Sequence, residues 1–196
     1  MTLKIGAGDQ KGRALRTPKR ASTRPTSARA RAALFNILGD RVLRSRWLDL
    51  YAGSGAIGLE ALCRGAAWAT FVEAHPDACR CITDNLHALG YDGQAEIHCR
   101  PVRQFLRPER SEATGTPPFD VVFADPPYDA RRNDLQLDQL LLLCRQSGKI
   151  AAHAWLIIEH AAGTAVPPTG GGWRHARTYT YGDSALTVYH PPEASH

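Results

Sequence analysis

The segment Asp125-Pro126-Pro127-Tyr128 follows an apolar run and has residue types suited to chemistry on a planar amine. An amine on a nucleobase is a poor nucleophile, because its lone pair is delocalised into the ring. The Asp125 carboxylate and the Pro126 carbonyl could accept its N–H hydrogens, and consecutive prolines would hold these acceptors in place. Tyr128 offers a flat face for an extruded base. We therefore predict all four residues as catalytic; the alternative is an ordinary Pro-Pro turn after a strand.

A second candidate site is the glycine-rich stretch that runs from Asp49 to Glu60. Gly53, Gly55 and Gly58 satisfy G-x-G-x-x-G, in which glycines permit a tight turn and let a ligand approach the backbone closely. This pattern suits either a dinucleotide or S-adenosylmethionine. A helix-start turn without any ligand is the alternative.

Two carboxylates bear on the choice between these ligands. Glu73 ends the next apolar run, where it could accept hydrogens from both ribose hydroxyls of either ligand. Asp49 suits the ammonium group of S-adenosylmethionine, whereas it would repel a pyrophosphate. S-adenosylmethionine is therefore the predicted cofactor. The predicted cofactor-binding residues are Asp49, Tyr51, Ala52, Gly53, Ser54, Gly55, Gly58, Glu73, Ala74 and Arg100.

Both motifs lie in a chain that alternates short apolar strands with helices. The pattern predicts strands at 47–51, 69–72, 96–99, 121–124, 155–159, 179–181 and 186–189, and helices at 30–38, 56–64, 76–89, 102–106 and 135–144. Thr26 or Ser27 is the expected N-cap of the first helix. We predict an α/β, Rossmann-like, seven-stranded, mostly parallel sheet with an antiparallel edge strand and helices on both faces. Ligands of such sheets bind at the carboxyl ends of the strands.

The charge of the chain is distributed unevenly. The 196 residues carry a formal net charge of +5, yet residues 1–46 hold twelve Lys and Arg against two Asp and Glu, a net +10. The remaining residues have a net charge of −5. We predict a basic N-terminal arm at 1–26 and a folded domain at 27–196. A basic arm on an acidic body favours a nucleic-acid partner, and the alternative is an arm that only aids solubility.

Several classes of protein are not indicated. No run of about 18 apolar residues is present, so no membrane-spanning segment is predicted, and the first residues lack the apolar core of a signal peptide. The five cysteines include no C-x-x-C pair, so we expect free thiols in a cytoplasmic protein and no metal site.

Taken together, the motifs resemble the RsmD family, the bacterial 16S ribosomal RNA guanine-N2 methyltransferases within the class I S-adenosylmethionine-dependent methyltransferases. The Asp-Pro-Pro-Tyr motif by itself indicates only a methyltransferase acting on an amino group. The resemblance extends over nearly the whole chain. It rests on the segments Gly8–Leu15, Arg24-Pro25-Thr26, Arg29, Arg31, Leu34-Phe35-Asn36, Asp49–Glu60, Phe71-Val72-Glu73, Asp125–Tyr128 and Tyr181–Leu186.

This resemblance implies methyl transfer to N2 of one guanine in 16S ribosomal RNA, within an assembled or assembling small ribosomal subunit. It implies RNA contacts from the arm and the first helix, through Arg13, Arg24, Thr26, Arg29 and Arg31. The chain departs from the family at Ala28 and Ala32, where acidic residues are usual. It also has Cys99-Arg100-Pro101-Val102 where the family presents Asp or Asn to adenine, so we expect backbone and apolar contacts to hold the adenine.

Two further hypotheses belong to other classes. A methyltransferase for adenine N6, in RNA or DNA, would use the same Asp-Pro-Pro-Tyr chemistry, although no separate target-reading domain is visible. A dinucleotide-dependent oxidoreductase would explain only the glycine pattern and would leave the basic arm without a role.

Overall fold

An eight-stranded sheet forms the centre of the computed structural model, which describes residues 3–18, 27–108, 117–127 and 135–191. The strands are Arg46–Leu50 (β1), Trp68–Glu73 (β2), Ala95–Cys99 (β3), Phe119–Ala124 (β4), Ile150–Ala161 (β5), Thr169–Gly170 (β6), Trp173–Tyr181 (β7) and Ser184–His190 (β8). Their order is β3-β2-β1-β4-β5-β8-β7-β6. Strands β1 to β5 are parallel, and β8, β7 and β6 join by antiparallel pairing. The predicted Rossmann-like α/β fold is confirmed.

The strand that the sequence did not predict is β6, which lies within a stretch rich in proline and glycine. Its two residues have no β-branched apolar pattern, and the pairing of Thr169 and Gly170 with Arg174 and Trp173 uses backbone groups. Pairing of this kind leaves no periodic signal in the sequence.

The described α-helices begin and end close to their predicted positions. They are Ala28–Leu38 (α1), Ala56–Cys63 (α2), Pro76–Leu89 (α3), Val102–Phe105 (α4) and Leu137–Gln146 (α5). Ser27 caps α1 by accepting the Ala30 N–H at 3.1 Å, whereas Thr26 lies outside the described residues. Helix α5 starts two residues later than predicted, because Gln136 and Gln139 form reciprocal capping hydrogen bonds.

Helices cover both faces of the sheet and enclose two apolar cores. On one face α1, α2 and α3 pack over β-strand residues such as Trp47, Phe71 and Phe123. On the other face α4 and α5 pack over residues such as Val122 and Ile158. Side chains alternate along each strand, so each strand supplies both cores.

Part of the predicted basic arm packs against the domain. Ile5 and Leu15 are buried in the core under α1 to α3, and Lys4 and Ala14 form an antiparallel bridge. The Asp9 N–H donates to the Cys63 carbonyl at 3.0 Å, which joins the arm to the end of α2. The division of the chain at residue 26 stays a prediction.

All five cysteines are free thiols, and four of them are buried. Within the described ranges, no group of His, Cys, Asp and Glu side chains has the arrangement of a metal site. None of the helices described is long and apolar enough to cross a membrane.

Candidate active site

The two predicted motifs meet where the strand order changes direction. From β1 the order runs through β2 and β3 on one side and through β4 and β5 on the other. A crevice forms at such a switch point, outside the carboxyl ends of the strands. The Asp125 N–H donates to the Leu50 carbonyl with an N···O distance of 3.3 Å. This hydrogen bond places the start of the Asp-Pro-Pro-Tyr segment directly beside the glycine-rich turn.

The glycine-rich turn has a backbone that most residues adopt only at a cost. Tyr51, Gly53 and Gly55 all have positive φ, at 61°, 55° and 77°. Gly55 is the N-cap of α2, and its N–H donates to the Ala52 carbonyl at 2.7 Å. Tyr51, Ala52, Gly53 and Ser54 are partly exposed, so their backbone is open to a ligand at the start of the helix.

Asp49 is buried beneath α2. One of its carboxyl oxygens accepts the Gly58 N–H at 2.9 Å. Burial raises the pKa of Asp49 from 3.8 to about 8; the Gly58 hydrogen bond acts in the opposite direction, and the charge of Glu73 raises this pKa further. The side chain therefore fixes the start of α2, and its predicted contact with a ligand ammonium stays a prediction.

Glu73 ties the end of β2 to the turn. Its Oε2 accepts the Gly53 N–H and its Oε1 accepts the His75 N–H, both at 2.8 Å. Each carboxylate oxygen has a second lone pair, so acceptor sites for two hydroxyl hydrogens remain. Ala74, next to it, is exposed.

The predicted adenine region lies at the carboxyl end of β3. Arg100 is exposed there, with its Nη2 3.1 Å from His98 Nδ1. The His98 Nε2 is 3.0 Å from a Glu96 oxygen, and its ring lies against Phe105 with centroids 4.8 Å apart. Cofactor binding by Arg100 stays a prediction.

The Asp-Pro-Pro-Tyr segment leaves the sheet at the end of β4. Asp125 and Pro127 are partly exposed and Pro126 is buried. Tyr128 lies outside the described residues. Strand β4, which precedes these residues, is almost entirely buried, and this holds the segment at the carboxyl end of the strand.

Sequence reasoning missed two polar residues close to these motifs. Glu159, in β5, is buried and follows Ile158, which pairs with Ala124, the residue before Asp125. Glu159 and Asp125 therefore stand level on neighbouring strands. The sequence signal that could have identified Glu159 is its position as the acidic residue that ends an apolar run.

The second missed residue is Asn85, on α3. Its amide NH₂ donates to the Ser54 carbonyl at 3.2 Å and to the Arg16 carbonyl at 3.0 Å. Its oxygen accepts the Arg16 N–H at 2.8 Å. Asn85 thus joins the arm to the glycine-rich turn, and sequence spacing gives no signal for such a contact.

Of the predicted RNA-binding residues, two are exposed, two lie outside the described residues and one is buried. Arg29 is exposed on α1, and Arg13 is exposed with its guanidinium donating to the Ala88 carbonyl at 2.9 Å. Arg24 and Thr26 lie outside the described residues. Arg31 is 5% exposed and forms an ion pair with Glu60 at 2.9 Å, and its predicted contact with RNA stays a prediction. The buried carboxylate opposite it attracts the guanidinium into the domain.

Comparisons with known proteins identify the family of this chain. The model of the family described as Conserved hypothetical protein 95 matches residues 3–190. The "Putative rRNA methyltransferase YlbH" of Bacillus subtilis is 30% identical over 95% of this chain and 98% of its own length. The "Ribosomal RNA small subunit methyltransferase D" of Escherichia coli is 33% identical, over 95% and 89%. The solved "Putative methyltransferase yhhF" of Escherichia coli is 30% identical with a TM-score of 0.83, over 99% of this chain and 100% of that one.

The chain belongs to the RsmD family. It is a methyltransferase whose cofactor is S-adenosylmethionine. The residues of the crevice fit this cofactor: the glycine-rich turn is partly exposed at the start of α2, and Glu73 keeps acceptor sites at the end of β2. Membership in the RsmD family leaves the oxidoreductase hypothesis without support.

Proposed function

We propose that this RsmD-family enzyme methylates the exocyclic N2 amino group of a specific guanine in 16S ribosomal RNA of the small ribosomal subunit. The observation that carries the proposal is the Asp125–Leu50 hydrogen bond, which sets the Asp-Pro-Pro segment against the glycine-rich turn. The names of the RsmD relatives supply the substrate class, since they are ribosomal RNA methyltransferases of the small subunit.

The cofactor occupies the crevice between β1 and β2 in this proposal. Glu73 accepts the ribose hydroxyl hydrogens, and the turn from Tyr51 to Gly55 covers the methionine end together with Asp49. Ala74 and Arg100 border the adenine, with Arg100 held beside His98. S-adenosylmethionine supplies a methyl group activated by a positively charged sulfur.

Asp125 and Pro126 present the amine. The Asp125 carboxylate and the Pro126 carbonyl accept the two N–H hydrogens and orient the nitrogen lone pair towards the methyl carbon. Transfer of the methyl group from sulfur to this nitrogen would leave neutral S-adenosylhomocysteine, and the proton lost by the nitrogen would pass through the Asp125 carboxylate to solvent. Pro127 stiffens the segment and Tyr128 stacks on the base. No metal is needed, because the methyl group is already activated and positioning supplies much of the remaining barrier reduction.

The partner in this proposal is 16S ribosomal RNA within an assembled or assembling small subunit, in the cytoplasm. Arg13 and Arg29 contribute to RNA binding, together with Arg24 and Thr26 of the arm. Their positive charge complements the phosphates.

The test uses cells that lack the gene. Nucleoside mass spectrometry of their 16S RNA should show the loss of N2-methylguanosine, and the purified protein with S-adenosylmethionine should restore it on small subunits from those cells. Loss of N6-methyladenosine instead would overturn the base assignment. Restoration of the methyl group on free RNA but not on subunits would contradict the proposal that the substrate is RNA within a subunit.

A further inference from the structure

An open groove lies between α1 and β7, away from the cofactor crevice. It has a volume of about 630 Å³ and is lined by Arg29, Ala32, Ala33, Asn36, Ile37, Tyr179 and Tyr181. The two tyrosines are partly exposed, because the short alanine side chains of α1 leave the groove open above them. The groove therefore combines aromatic rings, an amide and a cation.

The groove reaches the same level of the sheet as the Asp-Pro-Pro-Tyr segment. Tyr179 pairs with Leu186, which pairs with Glu159, which stands level with Asp125. Three strand spacings separate β4 from β7, so about 14 Å lies between the Asp125 and Tyr179 positions. A few nucleotides of an extended single strand cover this distance.

Two further pairs of a cation and an aromatic ring lie on the same face of the sheet as the groove. On β7 the Arg177 guanidinium lies over the Tyr179 ring at 5.1 Å. Arg41, which follows α1, lies over Trp155 of β5 at 4.2 Å. Burial, together with the charges of Arg41 and Arg174, lowers the pKa of the neighbouring His190. This face therefore carries Arg29, Arg41, Arg174 and Arg177, although residues 47–196 have a net charge of −5.

We propose that the groove binds the single-stranded RNA that flanks the target nucleotide, an inference that rests on the proposed function. Tyr179 and Tyr181 stack on bases, and Arg29 and Arg177 contact phosphates. Neighbouring aromatic and basic side chains favour single-stranded nucleic acid, because every base has a stacking face and every nucleotide a phosphate. A protein ligand of the subunit has no need for this combination.

The experiment measures binding of a labelled single-stranded RNA of about 12 nucleotides and, separately, methylation of small subunits. Arg29→Ala and Tyr181→Leu should each weaken oligonucleotide binding about tenfold, whereas Tyr181→Phe should bind as the wild type does, because it keeps the ring. Arg29→Ala should also lower the slope of log affinity against log salt by about 0.7. Arg145→Ala removes an exposed arginine on α5, on the other face, and is the matched control.

Melting temperatures of all variants verify that they fold. Wild-type methylation of guanine N2 combined with unchanged RNA binding by Tyr181→Leu would overturn the groove proposal alone. Equal losses in Arg145→Ala would overturn it as well. Absence of any methylation by the wild type would instead overturn the proposed function, whatever the groove binds.

Discussion

Asp125 and Asp49 are carboxyl residues at the ends of adjacent strands, and their surroundings give them different tasks. Asp125 is partly exposed at the mouth of the crevice, where a substrate amine can reach it. Asp49 is 1% exposed and accepts the Gly58 N–H, which positions α2 and the turn before it. The two side chains should therefore respond differently to substitution.

Replacing Asp125 with alanine should lower kcat about 100-fold or more, because one preorganised acceptor for the reacting amine is lost. Binding of S-adenosylhomocysteine should stay within about twofold of the wild type, since the proposed mechanism has Asp125 contact the substrate amine and not the cofactor. Isothermal calorimetry and a methyl-transfer assay on small subunits measure the two quantities. Substantial remaining turnover would show that Asp125 is not the acceptor.

The raised pKa of Asp49 predicts a pH dependence of stability. The native carboxyl keeps its proton up to about pH 8, whereas the unfolded chain releases it near 3.8. The native state therefore binds more protons between these values, and its stability falls as pH rises through them. An asparagine at position 49 cannot titrate. The melting temperature of Asp49→Asn should therefore rise relative to that of the wild type as the pH increases from about 5 to about 8.

The control for this pH series is Asp138→Asn, which changes an exposed carboxylate at the start of α5. It shows what the loss of a solvent-exposed carboxylate does over the same range. A difference between Asp49→Asn and the wild type that stays constant with pH would contradict the raised pKa of Asp49.

At the scale of elements, the close approach of α2 to β2 fixes the glycine-rich turn. A Cβ at Gly58 would lie 2.4 Å from Phe71 Cε1 and 3.2 Å from Asp49 Oδ2. The glycine therefore lets the helix lie against the sheet with its N-terminus at the crevice, which is the task of the third glycine in this motif.

Gly58→Ala should destabilise the protein by about 1–3 kcal/mol through overpacking, even though alanine favours helices. Gly93→Ala is the matched control, because a Cβ there meets no atom within 4 Å, and it should change stability by less than about 0.5 kcal/mol. Urea unfolding measures both. A neutral Gly58→Ala would mean that Phe71 moves aside without cost.

The elements could be predicted because their signals are local. Apolar runs predict most boundaries, and Pro76 and Gly90 predict the start and the end of α3. The burial of Arg31 and the packing of the arm could not be predicted, since they depend on Glu60 and Asn85, which lie far away in sequence. The two motifs were located from sequence because strand ends in a parallel sheet share one edge.

At the scale of the whole molecule, two buried polar residues connect the arm to the catalytic domain. Glu60 accepts the Gly6 N–H at 3.0 Å while it pairs with Arg31 and Arg64. Asn85 holds the backbone of Arg16 and the Ser54 carbonyl together. The first contact anchors the arm, and the second runs from the arm directly to the cofactor turn.

Asn85→Ala should therefore weaken binding of S-adenosylhomocysteine about fivefold to tenfold, although we place Asn85 outside the cofactor contacts, because the turn loses a hydrogen bond that fixes Ser54. Arg16→Ala is the control: it removes only an exposed ion pair with Asp84 and keeps the backbone bonds, so affinity should not change. Asn85→Asp can accept the Arg16 N–H but cannot donate to Ser54, so it should bind as weakly as Asn85→Ala. Calorimetric affinities equal to the wild type in both Asn85 variants would show that arm and turn are independent; weak binding by Asn85→Ala alone would place the effect in the arm.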